Sequence, residues 1–465
     1  MNVLTVPLDE CAAMPLYLQL YAYIREEILT GRIPSGARLP SKRNLAAHLQ
    51  ISRNTVQNGY DQLVDEGYIT AVPKSGYYVN KLDDMIRIGS NPPQVSVAEP
   101  AKNDCIVDFS PHGVDRENFP FHAWRRLIWE TIDECDPDLL SSGDPQGEPP
   151  LRAAISAYLH ESRGVNCSPD QILFGSGTEY LFQLLIQLFE PDRLYALENP
   201  GYEKLGQIFH SSRAAYTAVE LDEHGMLPGA LRRSGAQIAC VTPSHQFPTG
   251  TIMPVSRRVH LLNWAGEAHN RYLVEDDYDS EFKYAGKSIP ALQGLDETGH
   301  VIYMGTFSKA LAPSMRISYM VLPSILLKEY RCKLSFYRCP VSLMEQKALN
   351  RFIREGYFER HLNKMRVLYR KKREFFVSSL SRQLPAAAIV GANAGLHLLL
   401  QPNNGMTERQ LIDSARKQGV RVYGLSQYAT GPLTTPAHPT LLLGFAALKT
   451  EEIADGVDRL ATSWR

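Results

Sequence analysis

Apolar residues recur at three- and four-residue spacing through Leu16, Leu20, Tyr23, Ile24 and Ile28, the stripe of an amphipathic helix. The Gly- and Pro-rich run GRIPSGARLPS breaks that pattern, and Ser41 to Leu49 resumes it. A third helix is predicted after Ser52, a good N-cap, with Val56, Tyr60, Leu63 and Val64 on one face. Tyr68-Ile69-Thr70-Ala71-Val72, the turn Pro73-Lys74-Ser75-Gly76, and Tyr77-Tyr78-Val79 then read as a short hairpin with Lys74 at its tip. Residues 81–104 hold Asn91-Pro92-Pro93 and Pro100 with no sustained period, the pattern of a tether. Beyond it, short runs such as Gln171-Ile172-Leu173-Phe174, Gln237-Ile238-Ala239-Cys240-Val241, Tyr272-Leu273-Val274-Glu275 and Val301-Ile302-Tyr303-Met304 alternate with longer helical patterns. Strands alternating with helices predict an α/β domain with a mainly parallel sheet covered on both faces. Ligands on such sheets bind beyond the carboxyl ends of the strands. The expected division is 10–80, 81–104 and 105–465.

Charge changes the picture at the N-terminus. Over 465 residues, 49 basic and 50 acidic side chains nearly cancel. Yet from Ile28 to Tyr60 there is no Asp or Glu, while Arg32, Arg38, Lys42, Arg43 and Arg53 all fall in that window. The face of the third helix opposite its apolar stripe leaves Arg53, Asn54, Thr55, Gln57 and Asn58 toward solvent. Side chains of those kinds read base edges and phosphates from the start of a recognition helix. A small helical packing domain with a solvated basic face is the alternative. Seven cysteines without a CxxC pair suggest neither a disulfide framework nor a zinc site. The opening residues form no basic leader, and no run approaches the roughly 18 apolar residues of a membrane span. The expectation is a cytoplasmic protein without a membrane partner.

Three segments at predicted strand ends carry chemistry. Gly175-Ser176-Gly177-Thr178-Glu179 precedes a helical run, so backbone amides and a helix N-terminus are placed to cradle a phosphate, although such a turn is often only a turn. Glu275-Asp276-Asp277-Tyr278 gathers carboxylates that repel one another unless a cation is present. A protonated pyridine nitrogen is such a cation; a solvated loop or a metal site are the alternatives. In Thr306-Phe307-Ser308-Lys309, with Arg316 seven residues on, a desolvated lysine is suited to forming a Schiff base among phosphate-binding side chains, whereas most lysines simply face solvent.

The N-terminal stretch, with its LPSKRNLA and SRNTV segments, resembles the GntR family of bacterial regulators. The order GSGT, PGY, PSHQFPTG, EDDY and TFSK resembles the fold-type-I aminotransferases. Together they are most similar to the MocR/GabR-type branch of the GntR family, in which a winged helix-turn-helix and an aminotransferase-like domain share one chain. The resemblance implies that Ser41, Arg43, Arg53, Thr55 and Gly76 approach double-stranded DNA, to which the residues themselves add Lys42, Asn54, Gln57 and Lys74. It implies pyridoxal 5'-phosphate as cofactor, Lys309 as its Schiff-base lysine and Asp276 as partner of the pyridine nitrogen. Tyr278 would approach the ring hydroxyl and Tyr202 stack on the ring. Ser176, Gly177, Thr178, Thr306, Ser308 and Arg316 would surround the phosphate. It also implies a homodimer, with DNA-binding heads crossed between subunits.

The chain departs from the enzymes in two places. Their Asn-Pro-Thr-Gly segment, whose Asn contacts the cofactor hydroxyl, reads Gln246-Phe247-Pro248-Thr249-Gly250 here, and Leu442 stands where they carry an Arg that clamps the substrate carboxylate. GABA-responsive relatives carry an Arg where this chain has Gln427, and Lys204 is the candidate substitute charge. The expectation is therefore a DNA-binding regulator that senses an amino compound (a GABA-like amine, an amino acid or pyridoxal phosphate itself) by external aldimine formation, with at most a half-reaction of transamination. A genuine aminotransferase with an N-terminal interaction module, and a pseudo-enzyme that has lost its cofactor, are the competing readings.

Overall fold

The computed structural model describes residues 6–9, 12, 14–81, 105–284, 289–432 and 438–464. The tether expected over 81–104 therefore lies, but for its first residue, outside the described residues. The chain divides into two compact units, Met1–Ala101 and Lys102–Arg465.

In the first unit, α1 (Leu16–Leu29) buries Leu20, Ile24 and Ile28. Ser41 caps α2 (Lys42–Leu49) by accepting a hydrogen bond from the Asn44 amide, and Gln50 ends it in the left-handed conformation. Ser52 caps α3 (Arg53–Asp65) in the same way, accepting from the Thr55 amide at 3.0 Å. Val56, Tyr60 and Leu63 of α3 are completely buried against α1 and the hairpin of β1 (Ile69–Val72) and β2 (Gly76–Val79). Arg43, Arg53, Asn54, Asn58 and Lys74 are exposed. The expected solvent-facing helix surface needs correction at two positions. Thr55 is half-buried, with its hydroxyl 2.8 Å from that of the Ser52 cap. Gln57 is half-buried and accepts a hydrogen bond from Lys42, whose ammonium also lies 5.4 Å from the centre of the Tyr77 ring. Gln57 lies a turn deeper than Arg53 and meets the start of α2, so these two side chains fix one helix on the other.

The second unit is built on an eight-stranded sheet. After β3 (Val107–Asp108) come β4 (Ile172–Gly175), β5 (Leu194–Asn199), β6 (Ala215–Asp222), β7 (Gly225–Met226), β8 (Ile238–Val241), β9 (Tyr272–Asp277), β10 (Val301–Thr306) and β11 (Ser318–Val321). The order across the sheet is β4-β11-β10-β9-β8-β5-β6-β7. Neighbours from β10 to β6 run parallel, and β11 lies antiparallel between β4 and β10. β4, β8, β9 and β10 are buried along their whole length, as strands covered on both faces must be. A second sheet, of β12 (Ala388–Val390), β13 (His397–Gln401), β15 (Tyr423–Gly424) and β16 (Leu441–Gly444), follows; β14 (Val420–Arg421) pairs with β3. No helix among the described residues is long and apolar enough to cross a membrane.

Candidate functional site

The carboxyl ends of β4, β5, β8, β9 and β10 open onto one cavity of about 170 Å³. Its walls include Thr178, Tyr202, Lys204, Asp276, Tyr278, Thr306, Ser308, Lys309 and Arg316, so residues spread over 139 positions of sequence converge. Ser176 and Gly177 form the turn from β4 into the helix Thr178–Leu188, with Gly177 at φ 100°. A Cβ at Gly177 would sit 2.1 Å from the Arg316 guanidinium, so only glycine lets the arginine reach this helix N-terminus. Arg316 donates to Glu179 Oε2 at 2.7 Å and to the Ser176 carbonyl at 3.3 Å. Thr306 caps the short helix Phe307–Ala310, and its hydroxyl lies 3.0 Å from that of Ser308. A helix N-terminus at Thr178, the hydroxyls of Thr306 and Ser308 and the Arg316 guanidinium thus border one cavity, groups of the kinds that anion sites use.

The acidic run in β9 is sorted by its neighbours. Glu275 accepts from the backbone amides of Leu292 and Gln293. Asp277 binds Arg163 at 2.8 Å, Tyr303 at 2.6 Å and Ser280 at 2.9 Å. Burial pushes its carboxyl up, but Arg163 and these hydroxyls outweigh burial and hold it below the usual range. Asp276, between them in sequence, lines the cavity, and among the described residues its Oδ1 has no hydrogen-bond partner. Burial first, then the charges of Asp277 and Asp279, push its carboxyl up to about 7. A buried carboxylate left in this state is matched by a cationic or N–H-bearing ligand.

Lys309 lies on the short helix Phe307–Ala310 that follows β10 and donates to the Pro111 carbonyl at 3.0 Å. Burial lowers its ammonium to about 8, against a smaller opposing pull from Asp279. Near neutral pH this gives roughly two orders of magnitude more neutral amine than an ordinary lysine has. The arrangement can hold an anion, a cationic ring nitrogen and a carbonyl carbon at three fixed points of one cavity.

Two expected effector contacts fare differently. Lys204 lines the cavity and pairs with Glu179 at 3.9 Å. Gln427 is exposed on the 3-10 turn Leu425–Tyr428 and does not line the cavity. Side chains three apart eclipse in such a turn, so burying Leu425 and Tyr428 turns Gln427 outward. Leu442 is fully buried in β16 in an apolar cluster with Phe247, Leu399, Leu425 and Tyr428, against which Tyr202 and Tyr278 pack. Sequence reasoning missed His112, Glu179, Thr242, Phe247 and Pro313 in the cavity wall, and Glu198, which accepts a hydrogen bond from Thr242 at 2.6 Å. Glu179 and Phe247 lie inside segments that the motifs already marked; nothing local flags His112.

Burial also raises Glu198 to about 7, partly offset by hydrogen bonds from Thr242 and Gln246. Asp276 and Glu198 thus bind protons more tightly folded than unfolded, where their values are 3.8 and 4.5. Their contribution to stability is greatest at low pH and is lost as pH rises through about 7. The protein with nothing bound in this cavity is therefore expected to lose thermal stability between about pH 5 and pH 7. Loading a cation opposite Asp276 should flatten that slope. A melting temperature that climbs over this window in the empty protein contradicts the assignment.

Residues 16–79 match the family model described as bacterial regulatory proteins, gntR family. Residues 115–460 match that of aminotransferase class I and II. The chain is 41% identical to the HTH-type transcriptional regulator YdeL of Bacillus subtilis across 98% of both chains. It is 34% identical to the probable rhizopine catabolism regulatory protein MocR of Rhizobium meliloti, over 98% of this chain and 95% of that one. Among solved structures it is similar to Pyrococcus horikoshii kynurenine aminotransferase in complex with PMP: the TM-score is 0.68 and the identity 26%, over 77% of this chain and 90% of that one. The expected fold, a GntR-type head and a fold-type-I aminotransferase-like body, is met.

Proposed function

Because the chain belongs to the GntR family of bacterial regulatory proteins, in the MocR-type branch that joins a DNA-binding head to an aminotransferase-like domain, we propose that it regulates transcription by sensing an amino compound through pyridoxal phosphate held in the large unit. The observation that carries this reading is the Asp276 carboxylate, whose buried Oδ1 has no partner among the described residues, in the same cavity as the desolvated Lys309. The residues fit the cofactor at each end. Asp276 would hold a pyridine N–H, the Ser176-Gly177-Thr178 turn with Thr306, Ser308 and Arg316 would hold a phosphate, and Lys309 would face the aldehyde. When bound, pyridoxal phosphate supplies an electrophilic carbon that captures amines and a ring that withdraws electrons.

The remaining work falls to this chain. Tyr202 and Phe247 line the cavity and would flank the ring, and burial keeps the Tyr202 phenol protonated. Arg316 is tethered by Glu179 until an anion competes for it. Leu442 offers no carboxylate clamp, which removes positioning that fast transamination depends on. A cavity that captures an amine without fixing its carboxylate suits a sensor. The effector is an amine, an amino acid or the cofactor itself, and two subunits present two heads to DNA.

Titrating the purified protein with a panel of amino compounds, GABA included, while recording its visible spectrum tests the reading. A band that shifts with one amine, without sustained product, supports a sensor; sustained turnover with a keto acid supports an aminotransferase. No band after adding pyridoxal phosphate would sink the cofactor assignment.

For the head, affinity for DNA should fall steeply when salt is doubled, because exposed Arg43, Arg53 and Lys74 act chiefly on phosphates. Arg53→Ala should weaken binding by about 1–3 kcal/mol if it also reads a base. Salt-independent binding, measured by fluorescence anisotropy, would exclude this mode.

A further inference from the structure

We propose that Asp279 and His245 form a positioning pair that commits the Tyr278 hydroxyl to donating its proton into the cavity, where it meets the ring oxygen of the cofactor. This rests on the cofactor reading above. His245 Nδ1 lies 2.9 Å from Asp279 Oδ2 and 3.0 Å from the Tyr278 oxygen. His245 and Asp279 are buried, while Tyr278 is half-buried and alone of the three lines the cavity.

One ring nitrogen holds one proton, and two neighbours compete for it. A carboxylate can only accept, so the proton on Nδ1 goes to Asp279 in a charge-assisted hydrogen bond. Nδ1 then has no lone pair left for Tyr278. The tyrosine oxygen can at most receive a share of that N–H, so its own O–H must turn elsewhere, and the open direction is the cavity. The opposite tautomer would leave an Nε2–H buried with no acceptor among the described residues, since His245 Nε2 has no partner there.

The surroundings are shaped for the pair. Gly395, at φ +70°, closes over it, and a Cβ there would lie 2.0 Å from His245 Cε1 and 2.6 Å from Asp279 Oδ2. The His397 ring packs 4.9 Å from that of His245, and its Nε2 lies 3.1 Å from the Pro248 carbonyl. Burial keeps His397 neutral, so it adds no charge to the pair. Burial, then the charges of Asp279, Asp276, Glu198 and Asp277, hold the Tyr278 phenol protonated, and Lys309 faces Asp279 from the helix Phe307–Ala310.

The pair also answers a gap in the sequence. Gln246 cannot take the place of the amide that enzymes of this fold direct at the ring oxygen. Its Nε2 is committed to Glu198 and the Pro200 carbonyl, each at 3.1 Å, and its Oε1 to the Thr249 amide at 3.0 Å. Phe247 beside it has no polar atom to offer. Tyr278 is left as the donor, and its direction depends on Asp279.

The test is the pH midpoint of the cofactor's visible band in the full-length protein, compared with Asp279→Ala, Tyr278→Phe and the double variant. Removing Asp279 lets Nδ1 accept from Tyr278 and withdraws the donor from the ring oxygen. Loss of one such hydrogen bond should raise the midpoint by about one pH unit, as should Tyr278→Phe. The Asp279→Ala increase should vanish in the Tyr278→Phe background. Deleting a negative charge beside a cation predicts the reverse, a lower midpoint in both backgrounds. An unchanged or lowered midpoint in Asp279→Ala overturns the proposal while leaving the cofactor reading intact, whereas absence of any band in the parent protein defeats that reading first. If Asp279→Ala does not fold, nitrogen-15 histidine labelling of the parent decides. A proton on His245 Nδ1 with a bare Nε2 supports the pair, and a proton on Nε2 alone overturns it.

Discussion

Lys309→Ala is expected to abolish the amine-dependent spectral response while leaving affinity for DNA in the absence of effector within about twofold of the parent. The first half follows from chemistry. The other lysine and the arginine of the cavity wall, Lys204 and Arg316, are engaged with Glu179 instead. The second half follows from architecture, because the head has its own core of Leu20, Ile24, Val56, Tyr60 and Leu63. The substitution gives up one hydrogen bond to the Pro111 carbonyl, a loss of about 1 kcal/mol that a domain of this size absorbs. Absorbance spectra and fluorescence anisotropy on one preparation read both halves. Persistence of the amine response would move the reactive group elsewhere, and collapse of basal DNA binding would contradict two units acting through separate sites.

What could be read from the sequence was what is decided locally. Ser41 and Ser52 cap their helices because a hydroxyl followed by an amide three residues on needs no distant partner. The strand ends bearing GSGT, EDD and TFSK were legible because apolar runs stop there and polar chemistry begins. The roles inside EDD were not. Asp277 is paired with Arg163, 114 residues away, and the Lys309 amine donates to a carbonyl 198 residues away. Gln57 resembled a base-reading side chain until Lys42 met it across the helix turn. Gln427 resembled an effector contact because a linear match cannot tell which side of a 3-10 turn faces inward.

Asp276→Asn should act with opposite signs on the empty and the loaded protein. At pH 8 the parent carboxylate is ionised, buried and without a partner on Oδ1, having been pushed up to about 7 from 3.8. A shift of that size corresponds to about 4 kcal/mol of lost stability. The amide escapes this cost but is itself buried with an unpaired group, at about 2 kcal/mol. A net gain of about 2 kcal/mol in the empty protein remains at pH 8. At pH 5 the parent carboxyl is already neutral, and the gain disappears. The loaded protein behaves differently, because a pyridine N–H opposite a neutral amide loses a charge-assisted hydrogen bond. Cofactor affinity should drop about 10- to 100-fold, the equivalent of about 1.5–3 kcal/mol. Thermal melts at the two pH values and a titration with pyridoxal phosphate separate the effects. If the variant loses stability in both states, Asp276 is a structural acid whose partner lies within the protein, and the pyridine nitrogen must be sought elsewhere.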